Sequence, residues 1–447
     1  MSLVQEIQRL SPMARRLVAM KFLTSVGMVA SYFIGILGTL VYSLGGGALY
    51  TSWIVGLINA MEVVGTFAAG TIVDALGPRR HFRIDISCVV LASVAFPLLS
   101  GTTPGVLLGA AIFGFSWGMT DPIMRAYPAY LTDDPAELKT INAAMNTVIA
   151  TGVVVGPLVG SAIAAVAGTQ AVLAFPALCS LVALVPGAGF APLRDPRAVG
   201  AAGAVGDGAA QGPDAAGAAG DAGAASAPAS AKRASSVAAG FRAIAASSTL
   251  ALLDVAGFLA FFAYGAFDPL EILYYKDVLR VGTDWIGILS SAGGVGAILG
   301  GFLLMRVPEW HVNLRTFLLC LSLEGVGCII YVGTDNVWIA LLGQIILGAA
   351  NGAFNPMQAT LVQLHAPLEA VGRVSAVIGF SYSVAGVLPL LAAPALAAAI
   401  GVQGTLVASG ACVAVIPLLF MALLRRRIAA SVAEERERGA HVTESEA

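Results

Sequence analysis

Long apolar runs separated by short polar breaks dominate the chain. Twelve runs can be placed, at about 17–43, 50–73, 84–101, 104–127, 140–167, 170–192, 249–275, 284–305, 316–333, 336–361, 374–399 and 402–424. Each approaches or exceeds the roughly 20 helical residues that cross a hydrocarbon core of about 30 Å. The runs are solidly apolar, without the period-two alternation of a membrane β-strand. The pattern predicts an all-α membrane protein of twelve transmembrane helices. Residues 198–240 break it: they are almost all Ala, Gly, Ser, Pro and Asp. Such a segment cannot bury a core and reads as a flexible linker. The expected organisation is a six-helix bundle at 1–197, a linker at 198–248, a second six-helix bundle at 249–424 and a tail at 425–447. The polar start, Met1 to Arg16, runs into a first span too long for a signal-peptide core.

Composition narrows the classes further. Of the 447 residues 58% are hydrophobic and only 11% charged, with a mean hydropathy of +0.86. Soluble domains carry about 25% charged residues. A net charge of −2 supplies no field for nucleic acid. The basic residues orient the spans. With both termini cytoplasmic, all 24 Lys and Arg except Lys276 and Arg280 lie in or near cytoplasmic segments, as the positive-inside rule requires. This predicts a multi-pass protein of a cell membrane, surrounded by lipid. The Ala- and Gly-rich composition points to a bacterial source. Cys88, Cys179, Cys320, Cys328 and Cys412 all sit in apolar runs with no CxxC pair, so they read as packing residues. The four His lie in loops, at loop edges or in the tail, and no HExxH occurs. Neither a metal, a cofactor nor an enzymatic site is expected.

The two halves look like repeats. Gly109, Gly114, Gly118 and Pro122 in span four return as Gly343, Gly348, Gly352 and Pro356 in span ten, at a constant offset of 234. Asp121 before the first proline becomes Asn355 before the second. Trp53 and Trp285 match at an offset of 232. Two homologous bundles imply a pseudo-two-fold axis and a cavity between them.

The loop after span two reads Gly70-Thr-Ile-Val-Asp74-Ala-Leu-Gly77-Pro-Arg79-Arg80. Gly77 allows a tight turn, and Asp74 at a helix end can pair with arginine. The spacing and the position resemble the loop signature of the major facilitator superfamily. The resemblance implies that Gly70, Asp74, Gly77, Arg79 and Arg80 form a cytoplasmic gate motif, with Asp133 as its acidic partner. Pro78 departs from the usual pattern. The repeat copy, Gly301 to Arg306, lacks the Asp. Span five carries Gly152, Gly156, Pro157 and Gly160 in an arrangement that resembles the GxxxGPxxG motif seen mostly in the family's exporters. The three glycines share one face, as do Ala292, Gly296 and Gly300 in span eight. We expect these helices to meet across the domain boundary. The Arg that many of the family's proton antiporters carry in span four is here Ala110.

An ionised side chain at the bilayer centre costs roughly 2.5–3.5 kcal/mol, so each charge within a span needs a reason. Glu62, in the middle of span two, is a candidate proton carrier, because apolar surroundings penalise its ionised form. Asp121 and Arg125, four apart in span four, share a face with Trp117 and can pair. Asp121 is a second coupling candidate, and Arg125 could meet an anionic group. Span ten carries Gln344, Gly348, Asn351, Asn355 and Gln358, stepping by three and four into one polar stripe. In the resembled family spans four and ten line the cavity. Substrate contacts are therefore expected at Trp117, Asp121, Arg125, Gln344, Asn351, Asn355 and Gln358. Asp268 and Glu271 read as an entrance or as a solvated helix end. Glu324 falls in span nine, peripheral in the family, where it has no evident role. Tyr32, Tyr264 and Tyr382 could reach the cavity or simply pack.

These features predict a secondary active transporter working by alternating access. The leading expectation is a monomer that exports a small amphiphilic compound in exchange for protons, resembling multidrug or macrolide-efflux members. The alternative is proton-coupled uptake of a sugar, amino acid or organic acid, which the amides of span ten would suit.

Overall fold

The computed structural model describes residues 10–99, 102–120, 127–132, 135–188, 240–304, 306–308, 311–366, 371–429 and 431–433. Every regular element among them is helical. Ten apolar stretches are 18 residues or longer, beginning with Pro12–Ser43 and ending with Val377–Leu423. The last is two passes joined at Gly401, where a φ of 78° breaks the helix. Span four, Thr103–Met119, completes the set. It ends earlier than the expected 127. Thr120 caps it, its hydroxyl donating to the Trp117 carbonyl at 2.8 Å. Asp121, Arg125 and Asp133, with residues 189–239, lie outside the described residues.

The repeat read from the glycines is a repeat of packing. Gly109 and Gly343 press against Phe96 of span three and Tyr331 of span nine respectively. Gly114 and Gly118 meet the span-two backbone at Ile58 and Glu62. Gly348 and Gly352 meet the span-eight backbone at Gly293 and Ala297. Only a residue without Cβ lets the helices approach so closely. The turns repeat as well: Gly168 and Gly401, 233 apart, both have φ near +80° (83° and 78°). Gly45 has φ 68°, and Arg280, 235 further on, has 54°. Gly118→Val and Gly352→Val are each expected to lower stability by about 1–3 kcal/mol or more, because helix backbones would have to part. Gly379→Ala should be neutral, since nothing lies within 4 Å of an added methyl there. Thermal melts in detergent check both.

Span one changes character midway. After Pro12–Ala30 the chain widens into π-helical turns over Ser31–Leu37 and Thr39–Ser43, a feature that often marks functional segments. Span seven is broken between Ser248–Tyr264 and Phe267–Asp277. Large exposed apolar side chains such as Leu98, Val166, Leu391 and Leu423 suit a surface that faces lipid.

The halves are tied together at the end opposite the arginine-rich loops. Ser161 donates to the Thr283 carbonyl at 2.8 Å and accepts from the Gly287 N–H at 2.9 Å. Ser291 donates to the Val154 carbonyl at 2.6 Å. Lys276 donates to the Val41 carbonyl at 2.7 Å, and Tyr42 to the Val281 carbonyl at 2.9 Å. At the other end, Phe67 on span two and Phe380 on span eleven are exposed, and Gly70 and Gly379 face open space.

Spans five and eight do meet across the boundary, but with other faces than expected. Gly152, Gly156 and Gly160 pack on Ser25, Val26, Ala30 and Ile34 of span one, within their own half. Gly296 and Gly300 pack on Ile345 and Ala349 of span ten. The crossing itself is made by Val154, Pro157 and Ser161 against Gly287, Ser291 and Gly294. The glycine faces serve the permanent contacts inside each half, where close approach is always needed.

Candidate functional site

Two connected chambers lie between the halves. The first, of about 270 Å³, is bounded mainly by spans seven, eight, nine and ten. The second, of about 790 Å³, opens between spans one, two, seven and eleven. Phe33, Phe261, Tyr264 and Glu271 border both.

The break in span seven turns two carboxylates inward. Asp268 accepts from the Tyr32 hydroxyl at 2.8 Å and from Asn59, which places it on a bridge between the halves. Glu271 accepts from the Tyr331 hydroxyl at 2.6 Å, from the Gln344 amide at 2.9 Å and from Tyr275. Both line chambers, so the reading of a solvated helix end is corrected. That reading rested on their place near the end of an apolar run. The helix break carries that end into the protein interior.

Glu324 finds its explanation here. It is 7% exposed, lines the first chamber and accepts from the Asn351 amide at 3.2 Å. Asn351 in turn accepts from Asn355 at 3.0 Å. Glu324 on span nine thus reaches the chamber beside Asn351 of span ten, which lines it as well.

The other expected residues divide. Glu62 lines the second chamber, with Asn59 and Thr66 beside it. Gln344 and Asn351 line the first. Asn355 is exposed beyond it, and the half-buried Gln358 borders neither chamber. Trp117 packs edge-on against Tyr32 and Phe113, at 5.5 and 5.7 Å between ring centres. It buttresses Tyr32 instead of facing either chamber. In the loop motif Gly77 has the left-handed φ of 80° that the turn needs, while Arg79 and Arg80 are exposed. The Asp74 side chain lies outside the described residues. Pro78, the departure from the usual pattern, offers its carbonyl to the Tyr127 hydroxyl at 2.7 Å, and Tyr127 also meets His81 at 2.7 Å.

The chemistry is asymmetric. Asp268, Glu271, Glu324 and Gln344 stand where the offset of 234 puts Ile34, Leu37, Val90 and Ala110 in the first half. Among the described lining residues of the two chambers, four are carboxylic acids, Glu62, Asp268, Glu271 and Glu324, and none is Lys, Arg or His. With Phe33, Phe261, Tyr264 and Tyr382 they make an aromatic, acidic space. Such a space can hold protons or organic cations, the latter also over ring faces. The sequence reading missed Phe33, Phe261, Tyr275 and Tyr331. The spacing of Asp268, Glu271 and Tyr275 by three and four on one helical face was the available signal.

Comparison with known proteins agrees with this architecture. A sequence profile of the Major Facilitator Superfamily matches residues 24–310 and 253–446. No match is found among curated protein sequences. Among solved structures, the chain is similar to the nucleoside transporter NupG, with a TM-score of 0.66 and 11% identity over 92% of this chain and 99% of that one. A D-xylose-proton symporter is similar with a TM-score of 0.64 and 16% identity, covering 91% and 96%. A bacterial metal transporter follows with 0.63 and 16%, covering 92% and 98%. At such identities the likeness is one of fold.

Proposed function

This chain belongs to the major facilitator superfamily and is a multi-pass membrane transporter; from that premise we propose that it exports a small amphiphilic cation in exchange for protons. The observation that carries this reading is the chamber pair lined by aromatic rings and four carboxylates, with no basic side chain among the described lining residues. A carboxylate can hold a proton or neutralise a cation, and not both at once. A site that must lose one to take the other couples their movements in opposite directions. Glu62 is the proton-coupling residue in the second chamber, and Asp121 is its sequence-derived companion. The positive-inside bias of the basic loops supports a cytoplasmic location for the arginine-rich end and both termini. The chambers are then reached from the cytoplasm, as an exporter loading its substrate requires. In the opposite conformation Gly70, Asp74, Gly77, Arg79, Arg80 and Asp133 close that end, and a monomer suffices. A first chamber of about 270 Å³ favours compounds smaller than a macrolide, since drug-sized ligands occupy about 300–1,000 Å³.

The test is exchange in proteoliposomes. An imposed proton gradient should drive accumulation of a lipophilic monocation, and Glu62→Gln should abolish that drive while leaving binding measurable. Gradient-driven movement of sugars or amino acids, with none of cations, would establish the uptake reading instead. An organic acid is the least suited of these to an acidic chamber.

A further inference from the structure

The first chamber has a carboxylate at each end. Gln344 holds Glu271 and Asn351 holds Glu324. The two amides are seven residues apart on span ten, a rise of about 10.5 Å. Tyr264 and Cys328 lie within electrostatic reach of both acids. The wall between is smooth and small, made of Gly293, Gly294, Ala297 and Gly348, with Phe261 and Leu321 adding apolar surface. Glu324 is 7% exposed, and only its Oε1 carries a hydrogen bond among the described residues. Its partner is a neutral amide, which orients a carboxylate without neutralising it. Glu271 is likewise held by hydroxyls and an amide, with no cation among its described partners.

We propose that this slot binds a linear dication, an alkyl diamine with one ammonium at Glu271 and the other at Glu324, its methylene chain lying along the glycine-lined wall beside Tyr264. Charge-assisted bonds of about 2.8 Å at each end leave about 5–8 Å between the nitrogens, the span of about three to five carbons. The proposal rests on the cation-transport reading and names its substrate class.

The experiment uses the full-length protein in lipid nanodiscs. Binding is measured for α,ω-diaminoalkanes of increasing length, for the matched n-alkylamines and for a lipophilic monocation. Diamines should bind best at about three to five carbons and about tenfold or more above the monoamine, the value of one added charge-assisted bond. Glu324→Gln should bring the diamine down to the monoamine's affinity, a loss several-fold larger than the one it causes for the monoamine or the lipophilic monocation. Glu324→Asp, shorter by one methylene, should move the optimum to a longer diamine, a shift that a merely structural role does not produce. A flat length profile in the wild-type protein, or equal losses for monoamine and diamine in Glu324→Gln, overturns the proposal. If monocations still exchange with protons, only this inference falls. If no cation binds or exchanges, the cation-transport reading falls with it.

Discussion

Glu271→Gln is expected to abolish transport while leaving a folded protein. The side chain keeps its volume and one acceptor oxygen, so Tyr331 or Gln344 retains a partner, but the charge at the junction of the two chambers is gone. A hydrogen bond to a charged group contributes about 1.5–3 kcal/mol, which translates into a loss of cation affinity of about ten- to a hundredfold. Glu271→Leu is the harsher change. Three donors converge on this carboxylate, the Tyr331 and Tyr275 hydroxyls and the Gln344 amide; Tyr331 keeps Tyr275 as an acceptor at 2.6 Å, while the Tyr275 hydroxyl and the Gln344 amide are stranded. Stranded buried donors cost about 1–3 kcal/mol each, so destabilisation of about 3 kcal/mol or more is expected. Thermal melts separate the two variants, and cation uptake in proteoliposomes measures the first. Wild-type uptake by Glu271→Gln would remove the carboxylate from the transport path.

The second large effect concerns the bridge between Tyr32 and Asp268. Their 2.8 Å hydrogen bond joins span one to the broken span seven, and Asp268 also lines the chamber. Occupancy of the chamber and closure of the far end therefore share one carboxylate. Tyr32→Phe removes the donor and keeps the ring that stacks edge-on with Trp117. It should shift the equilibrium toward opening at that end by about 1.5–3 kcal/mol, roughly ten- to a hundredfold in population. Spin labels placed on spans one and seven near Tyr42 and Val281, which are in contact in the closed form, would report the longer distance. Asp268→Ala, which removes the acceptor of both Tyr32 and Asn59, should shift it at least as far, and the double variant little further than Asp268→Ala alone, because both changes remove the same Tyr32–Asp268 bond. Full additivity would show that the two residues act separately.

How much of the site could be read in advance differs residue by residue. Gln344 and Asn351 were legible because a polar stripe on an apolar helix must face the interior. Glu62 was legible for the same reason. Asp268 and Glu271 were visible as charges yet could be read either as an entrance or as a wet helix end, because a hydropathy run shows where apolar residues stop and not where the helix axis turns. Glu324 was visible and unexplained, because whether a peripheral helix reaches the cavity depends on what the helix in front leaves open. Trp117 shares the stripe position of Asn351 in the repeat, but Tyr32 comes between it and the chambers.

Taken alone, the amino-acid sequence determined the helical membrane class, the twelve passes, the two-fold repeat and the family. Each follows from properties that need no partner: apolar length against bilayer thickness, the sidedness of arginine, and the recurrence of glycine at one offset. Tertiary structure alone decided which face of each helix meets which neighbour. The glycines of span five turned toward span one and not across the boundary, because helix rotation is chosen by the sum of all packing contacts. The acidic character of the cavity was decided there too. Asp268, Glu271 and Glu324 lie on two different spans, and nothing in their spacing along the chain brings them together. The break in span seven and the small residues of spans eight and ten do that.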